Sequence, residues 1–456
     1  MSASKQNTED FKFIINEAIR LIQLRNQSYK LYKNDFDSDF HLMTAALDPP
    51  RDIVEINPQQ RQFLLSSKAQ KKLRNIATRQ IKSNGLLNAI TVNEFTLDIR
   101  DSIYIHIKNS GKLDSSGFSS LLSKARKRAN NKMQEVTYFF PFNAPSLSPE
   151  KEIQIGSVKI IHKDSIYAKV SDNSNYDLFV NNNNRNSFNC LLSITIPKCS
   201  NKISKNRAQN TAEFIFGVIK VFTTSYKLKA NQINLISHPT KSNINHYIAN
   251  KNDDYWIGGS YSFGEDLQDF WKFFEEDLEK DLGLVIKKLT LQAVSPSNKE
   301  CLADRLIDAF YWFGDASRDT NSSAQVVKLV TAMERLVTVK DKEKNEGITE
   351  NFCRRVSCLI AIYHNEINEW YNKARKVYNL RSNFVHGSKS IYKTYETDLG
   401  FDPFQLACPT ILSACILFYK IGLELSPYEE KLKNIYFELS EICENEKYKM
   451  KKNINL

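Results

Sequence analysis

A chain of 456 residues is longer than one ordinary hydrophobic core organises, and its length predicts two or three domains. With 41% apolar and 25% charged residues it groups with globular chains and not with disordered ones. The polar opening Met1–Asp10 contains no signal core, and no run approaches the roughly 18 apolar residues that span a bilayer, so the expectation is a cytoplasmic chain without a membrane segment. The 8 cysteines form no Cys-x-x-Cys pair, and most sit in apolar company, as Cys358, Cys408 and Cys415 do. That pattern predicts buried thiols in a reducing compartment, with neither a metal site nor a disulfide framework. The net charge of +11 is unevenly placed: residues 1–140 carry 22 Lys/Arg against 14 Asp/Glu, whereas residues 301–456 carry 22 against 21. An electrostatic footprint for nucleic acid and a merely solvated surface both fit this bias.

In chain order, Thr8–Lys33 reads as an amphipathic helix, with Phe11, Ile14, Ile15, Ala18, Ile19 and Ile22 on one side. Asp35, Asp37 and Asp39 lack the glycine turn and distal glutamate of a calcium loop and read as a solvated loop. Gln59–Ser83 looks helical and basic. Ala89–Ile107 alternates like strands, through Ile90, Val92, Phe95 and Leu97 and then Ile103, Ile105 and Ile107. Phe118–Met133 returns to helix and carries Lys124, Arg126, Lys127 and Arg128, the densest positive cluster. No aromatic residue is interleaved there, so phosphate contact fits better than base stacking. These segments predict a basic α+β domain over residues 1–135.

From Val136 to about Ser262 strands and turns dominate. Ile153–Ile160 alternates around Gly156, Leu191–Ile196 is a strand, Asn181–Asn184 is a polar loop, and Thr211–Thr223 is a helix. The strand Tyr255–Gly259 ends in a glycine pair without the Lys-Ser/Thr of a phosphate loop. Leu267–Leu289 reads as one amphipathic helix, broken at Val294–Ser297. Residues 136–295 are therefore predicted to be a β-rich α+β domain and residues 296–456 an all-α domain. Helical periods in the latter recur at Glu300–Asp315, Ser322–Val339, Ile348–His364, Asn368–Phe384, Pro403–Leu425 and Tyr428–Ile442, followed by a frayed basic tail.

The stretch with most chemical content is Tyr378–Gly387, which places Arg381 five residues before His386. A guanidinium that keeps its proton beside an imidazole that exchanges one near neutral pH suits phosphodiester chemistry. Five helical residues turn the chain by about 500°, so the two side chains diverge by about 140°. One protomer aims both at one phosphate only if the helix ends between them, and Gly387 is a suitable terminator. Glu334 interrupts an otherwise apolar helical face; a carboxylate there needs a partner, and Arg381 is the candidate. Arg381 held by Glu334, with His386 capping its helix, is equally the purely structural reading. His364 reads as a surface histidine, and His238 and His246 lie in a polar loop.

Four segments in order, Ala309–Ala316, Val326–Leu336, Phe352–Ile360 and Tyr378–Gly387, resemble the Apea-like branch of the HEPN superfamily over about residues 300–395. The resemblance implies a helical bundle that pairs into a homodimer, with two Arg-x4-His motifs lining a shared cleft where many members cleave RNA without a metal or other cofactor. Carried to this sequence, the arginine is Arg381, the polar residues after it are Ser382 and Asn383, and the histidine is His386. Many HEPN nucleases place Asn, Asp or His directly after the arginine, where this chain has Ser382. The implied function is a prokaryotic endoribonuclease of antiviral defence or toxin type, controlled or triggered through its N-terminal domains. A catalytically inactive dimerisation scaffold and an N-terminal nucleic-acid sensor are the alternatives.

Overall fold

The structure is a computed structural model. It describes residues 5–31, 50–54, 63–108, 114–167, 174–183, 188–228, 233, 235, 246–249, 255–258, 268–339, 347–364, 366–392, 399–426 and 430–454. The Asp35–Asp39 triplet and His238 lie outside the described residues. The chain is mostly helical with one small four-stranded antiparallel sheet and divides into two compact units. The first holds Met1–Val136 and Pro197–Lys205; the second holds Thr137–Ile196 and Asn206–Leu456.

The first unit contains helix α1 (Lys5–Leu31), the hairpin β1 (Pro50–Val54) and β2 (Phe63–Ser66), and helices α2 (Ser67–Ser83), α3 (Val92–Lys108) and α4 (Ser115–Lys132). Residues 63–66, read as part of a helix, are the strand β2, and the helix begins where Ser66 caps it by accepting the Ala69 N–H at 3.3 Å. The strands read over Ala89–Ile107 are likewise corrected: the segment is α3. Phe95, Ile99 and Ile103 recur every fourth residue and are fully buried, which outweighs the chance alternation of Ile103, Ile105 and Ile107. A capping box starts this helix, with Thr91 and Glu94 exchanging side chain–backbone bonds at 3.1 and 3.2 Å. The core packs Phe11 on Phe118 at 4.8 Å between ring centroids, with Leu73, Ile76, Ile99 and Leu121 around them.

Charges in this unit fasten helix to helix. Asp10 is buried on α1 and accepts from Lys72 Nζ at 2.7 Å and from Arg79 Nη2 at 2.5 Å, both on α2. Burial alone would raise the Asp10 carboxyl, but the two cations outweigh it and hold it below the usual carboxylate range.

The strands β3 (Gln134–Phe142), β4 (Ile153–Ile155), β5 (Val158–His162) and β6 (Cys190–Cys199), most of whose residues belong to the second unit, form a sheet in the order β3-β6-β5-β4. The short helices α5 (Lys163–Tyr167) and α6 (Ser174–Asn182) lie between β5 and β6, so Asn181 and Asn182 end a helix where a loop was expected. Helix α7 (Asn201–Ser225) follows and belongs to the second unit from Asn206 on; next comes the hairpin β7 (His246–Ala249) and β8 (Tyr255–Gly258), so that His246, expected in a loop, opens a strand. The remaining helices are α8 (Gln268–Leu278), α9 (Asp281–Val294), α10 (Leu302–Arg318), α11 (Ser322–Val337), α12 (Ile348–Ala361), α13 (Ile367–Val385), α14 (Phe404–Ile421) and α15 (Glu430–Ile454). The run Leu267–Leu289 is thus two helices, and the last helix continues through the expected tail.

Two glycine positions fix how the sheet and α7 meet this bundle. The β4–β5 turn sits at Gly156 with φ +61°, and a Cβ there would overlap Thr290 Oγ1 of α9, which instead accepts the Ser157 N–H at 3.1 Å. Gly217 of α7 crosses Gly314 of α10 so closely that a Cβ on Gly217 would overlap the Phe310 carbonyl oxygen. Beside this crossing Arg318 bonds Glu213 and Asp315, and Lys328 bonds Asp315 at 2.7 Å and Asp319 at 2.9 Å. By length and composition α14 is apolar enough to cross a membrane, contrary to the sequence expectation. Half of it is buried in the bundle, where Leu406, Ile411, Ala414 and Phe418 are enclosed and Thr410 Oγ1 meets Met333 Sδ at 3.7 Å.

Candidate active site

Helix α13 positions the Arg381–His386 pair. Its buried residues Ala374, Val377, Tyr378 and Phe384 follow helical spacing, and Arg381 falls in the same stripe, three residues beyond Tyr378. Arg381 therefore points toward α11, where its Nη2 donates to Glu334 Oε2 at 3.1 Å. The pair is half-buried, with side-chain exposures of 22% and 24%. Glu334 takes one of the donors of the guanidinium, and the Arg381 Nε–H, also buried, finds no acceptor among the described residues.

Tyr378 completes this corner. Its ring lies 5.7 Å from the Arg381 guanidinium carbon and packs on Phe352 of α12 at 4.6 Å between centroids. Burial raises the Tyr378 phenol, and the Glu334 carboxylate raises it further. Sequence reasoning gave Tyr378 no role, although its i, i+3 spacing from Arg381 was the available signal.

The helix that carries Glu334 is fastened at its C-terminal end. The last α11 carbonyls have no helical partners; Leu336 O accepts the Tyr436 hydroxyl at 2.9 Å, Val337 O accepts Arg355 at 3.1 Å, and Thr338 O accepts Arg305. Both arginines are nearly buried, and their charge complements the negative end of the helix. This clamp was not visible in the sequence because its members come from α10, α12 and α15.

His386 is the first residue beyond α13. Its N–H bonds Ser382 O at 2.9 Å, its ψ of 4° leaves the helical pattern, and Gly387 follows at φ +78°. The imidazole is exposed, as is neighbouring Val385 at 52%. Ser382 and Asn383 lie half-buried in the last turn. The structure thus brings Arg381, Glu334 and Tyr378 together and leaves His386 at the solvent-facing end of the same helix.

The other expected groups lie elsewhere. Lys124, Arg126, Lys127 and Arg128 are on α4 of the first unit; Lys124 and Lys127 are exposed, while Arg126 is tied to Asn84 Oδ1 at 3.0 Å and Leu122 O at 3.4 Å. His364 follows α12 and is exposed. Among the described residues no three His, Cys, Asp or Glu side chains gather as a metal-binding group. Compared with known proteins, the chain matches no family model, no curated protein and no solved structure.

Proposed function

We propose that the chain is a HEPN-type, Apea-like endoribonuclease that cleaves RNA by 2′-OH transesterification in a groove completed by a second copy of itself. The observation that carries this reading is the state of Arg381: Glu334 orients it through Nη2 alone, and the guanidinium side chain stays 22% exposed, within reach of a second anion. Exposed His386, about 1.4 turns on, supplies the proton-transferring group.

In the reaction, His386 takes the proton of a ribose 2′-OH, and that oxygen attacks the adjacent phosphorus. Arg381 neutralises the charge growing on the non-bridging oxygens. The P–O5′ bond breaks, and the partner's histidine or water protonates the leaving oxygen, yielding a 2′,3′-cyclic phosphate and a 5′-OH. The roughly 140° divergence of the two side chains is the reason for a second copy: one helix presents Arg381 inward and His386 outward, and a two-fold pairing gathers both kinds in one groove. A role in antiviral defence or as a toxin rests on the resemblance alone.

One observation favours a second reading. An Arg381–Glu334 pair that simply joins α13 to α11 suits a dimerising scaffold without catalysis. Cleavage of RNA by the full chain, compared with Arg381→Ala and His386→Ala, separates the two. The nuclease reading predicts that each substitution removes activity by about 10²–10⁴-fold, and full activity in either variant removes the assignment.

A further inference from the structure

A second concave site lies in the second unit, away from the Arg381 corner. It is a cleft of about 760 Å³ between the end of α7, the α10–α11 and α12–α13 turns and the start of α14. That volume falls within the usual range for small-molecule sites. Its distance from His386 follows from one helix: Trp370, in the wall, is 16 positions before His386 along α13, about 24 Å at the helical rise.

Three features of the lining converge on one kind of ligand. Two aromatic rings, Trp370 and Phe404, and the apolar Leu412 line the cleft. A hydrogen-bonding edge comes from Gln405, and here the backbone contributes as well as the side chain. Pro409 lies inside α14 and has no N–H, so the Gln405 carbonyl four residues earlier loses its helical partner, and both residues line the cleft. A carbonyl left free beside an amide side chain offers an acceptor next to a donor–acceptor pair, which matches the edge of a nucleobase.

The third feature is charge. Lys227 lines the cleft at its α7 end, is exposed, and among the described residues has no carboxylate partner. Its backbone is left-handed at φ +59°, an uncommon conformation for a residue with a side chain. His364 lines the same opening. The carboxylate in the lining, Asp402, is turned to the start of α14, where it accepts the Phe404 N–H at 3.0 Å. A planar, hydrogen-bonding ring that also carries an anion fits this arrangement.

We propose that the cleft binds a nucleoside monophosphate, with the base in its aromatic part against Gln405 and the phosphate at Lys227. The inference does not depend on the nuclease reading, because no group of the Arg381 corner takes part. It is tested on the full chain by calorimetric titration with the four ribonucleoside monophosphates, the matching nucleosides and inorganic phosphate. At least one monophosphate is expected to bind one per chain and at least tenfold tighter than its nucleoside or phosphate alone. Lys227→Asn, which tolerates the left-handed backbone, should remove that tenfold advantage and leave nucleoside binding unchanged. Pro409→Ala restores the N–H to the Gln405 carbonyl and should weaken binding severalfold in a protein that melts no lower than wild type. No saturable binding of any monophosphate, or equal binding by wild type and both variants, overturns the proposal.

Discussion

The two units handle charge in opposite ways. The first carries most of the basic excess, yet several of its cations are committed to holding helices together: Lys72 and Arg79 to Asp10, Lys132 to Asp98 and Arg126 to Asn84. The second is almost neutral over residues 301–456, and there Arg381 is oriented by one carboxylate and left partly exposed. A high count of positive residues therefore says less about function than the way one of them is held. Net charge reports on solubility and long-range attraction; a site needs a charge fixed in direction with unspent hydrogen-bonding capacity.

That contrast can be broken at several points. The largest expected effect on stability is at the α7–α10 crossing. Gly217→Ala places a methyl group on the Phe310 carbonyl, and overpacking of this kind costs about 1–3 kcal/mol, read as a lowered thermal midpoint. A midpoint equal to wild type would show that the helices separate freely.

Next is Glu334→Gln. It keeps the shape of the Arg381 partner and removes its charge, and a half-exposed pair of this kind contributes on the order of 1 kcal/mol or less. Stability should change little while RNA cleavage falls, which differential scanning and a cleavage assay measure side by side. Loss of stability without loss of cleavage would assign the pair to structure alone.

Acid should weaken the α10–α11 charge cluster. Burial alone would raise Asp315, but Lys328 and Arg318 outweigh it and hold the carboxyl below its ordinary value. A carboxyl depressed in the folded state adds stability that is fully present above its unfolded pKa of about 3.9 and is lost as pH falls through the folded value. Wild type should therefore melt above Asp315→Asn at pH 7, with the gap closing below about pH 4.

The smallest effect concerns the basic helix. Lys124→Glu with Lys127→Glu should reduce RNA affinity modestly and lower the salt slope by about one for each phosphate that α4 no longer neutralises. Unchanged binding would leave α4 as a solvated face.

The C-terminal helices could be read from the sequence because each repeats its apolar residues at helical spacing and is stopped by a recognisable residue, as Gly387 stops α13. The Glu334–Arg381 pair was readable for a related reason: a carboxylate on an apolar stripe implies a counter-charge. Helix α3 reads as strands because isoleucines at 103, 105 and 107 mimic one, and they mask the Thr91–Glu94 capping box that marks a helix start. The Gly217–Gly314 crossing and the Tyr436 bond to the end of α11 join residues nearly a hundred or more positions apart, and no local pattern announces them. The cleft at Trp370 and Gln405 is assembled from four separate chain segments and was equally silent.

The central claim, that Arg381 and His386 perform transesterification on RNA, is tested most directly by the chemistry of the product ends. The full chain incubated with RNA in the presence of a metal chelator should yield 2′,3′-cyclic phosphate and 5′-OH ends, and an RNA with 2′-deoxy substitution at the cleaved position should remain intact there. Products with 3′-OH ends, cleavage at the deoxy position, or RNA left whole would contradict the account.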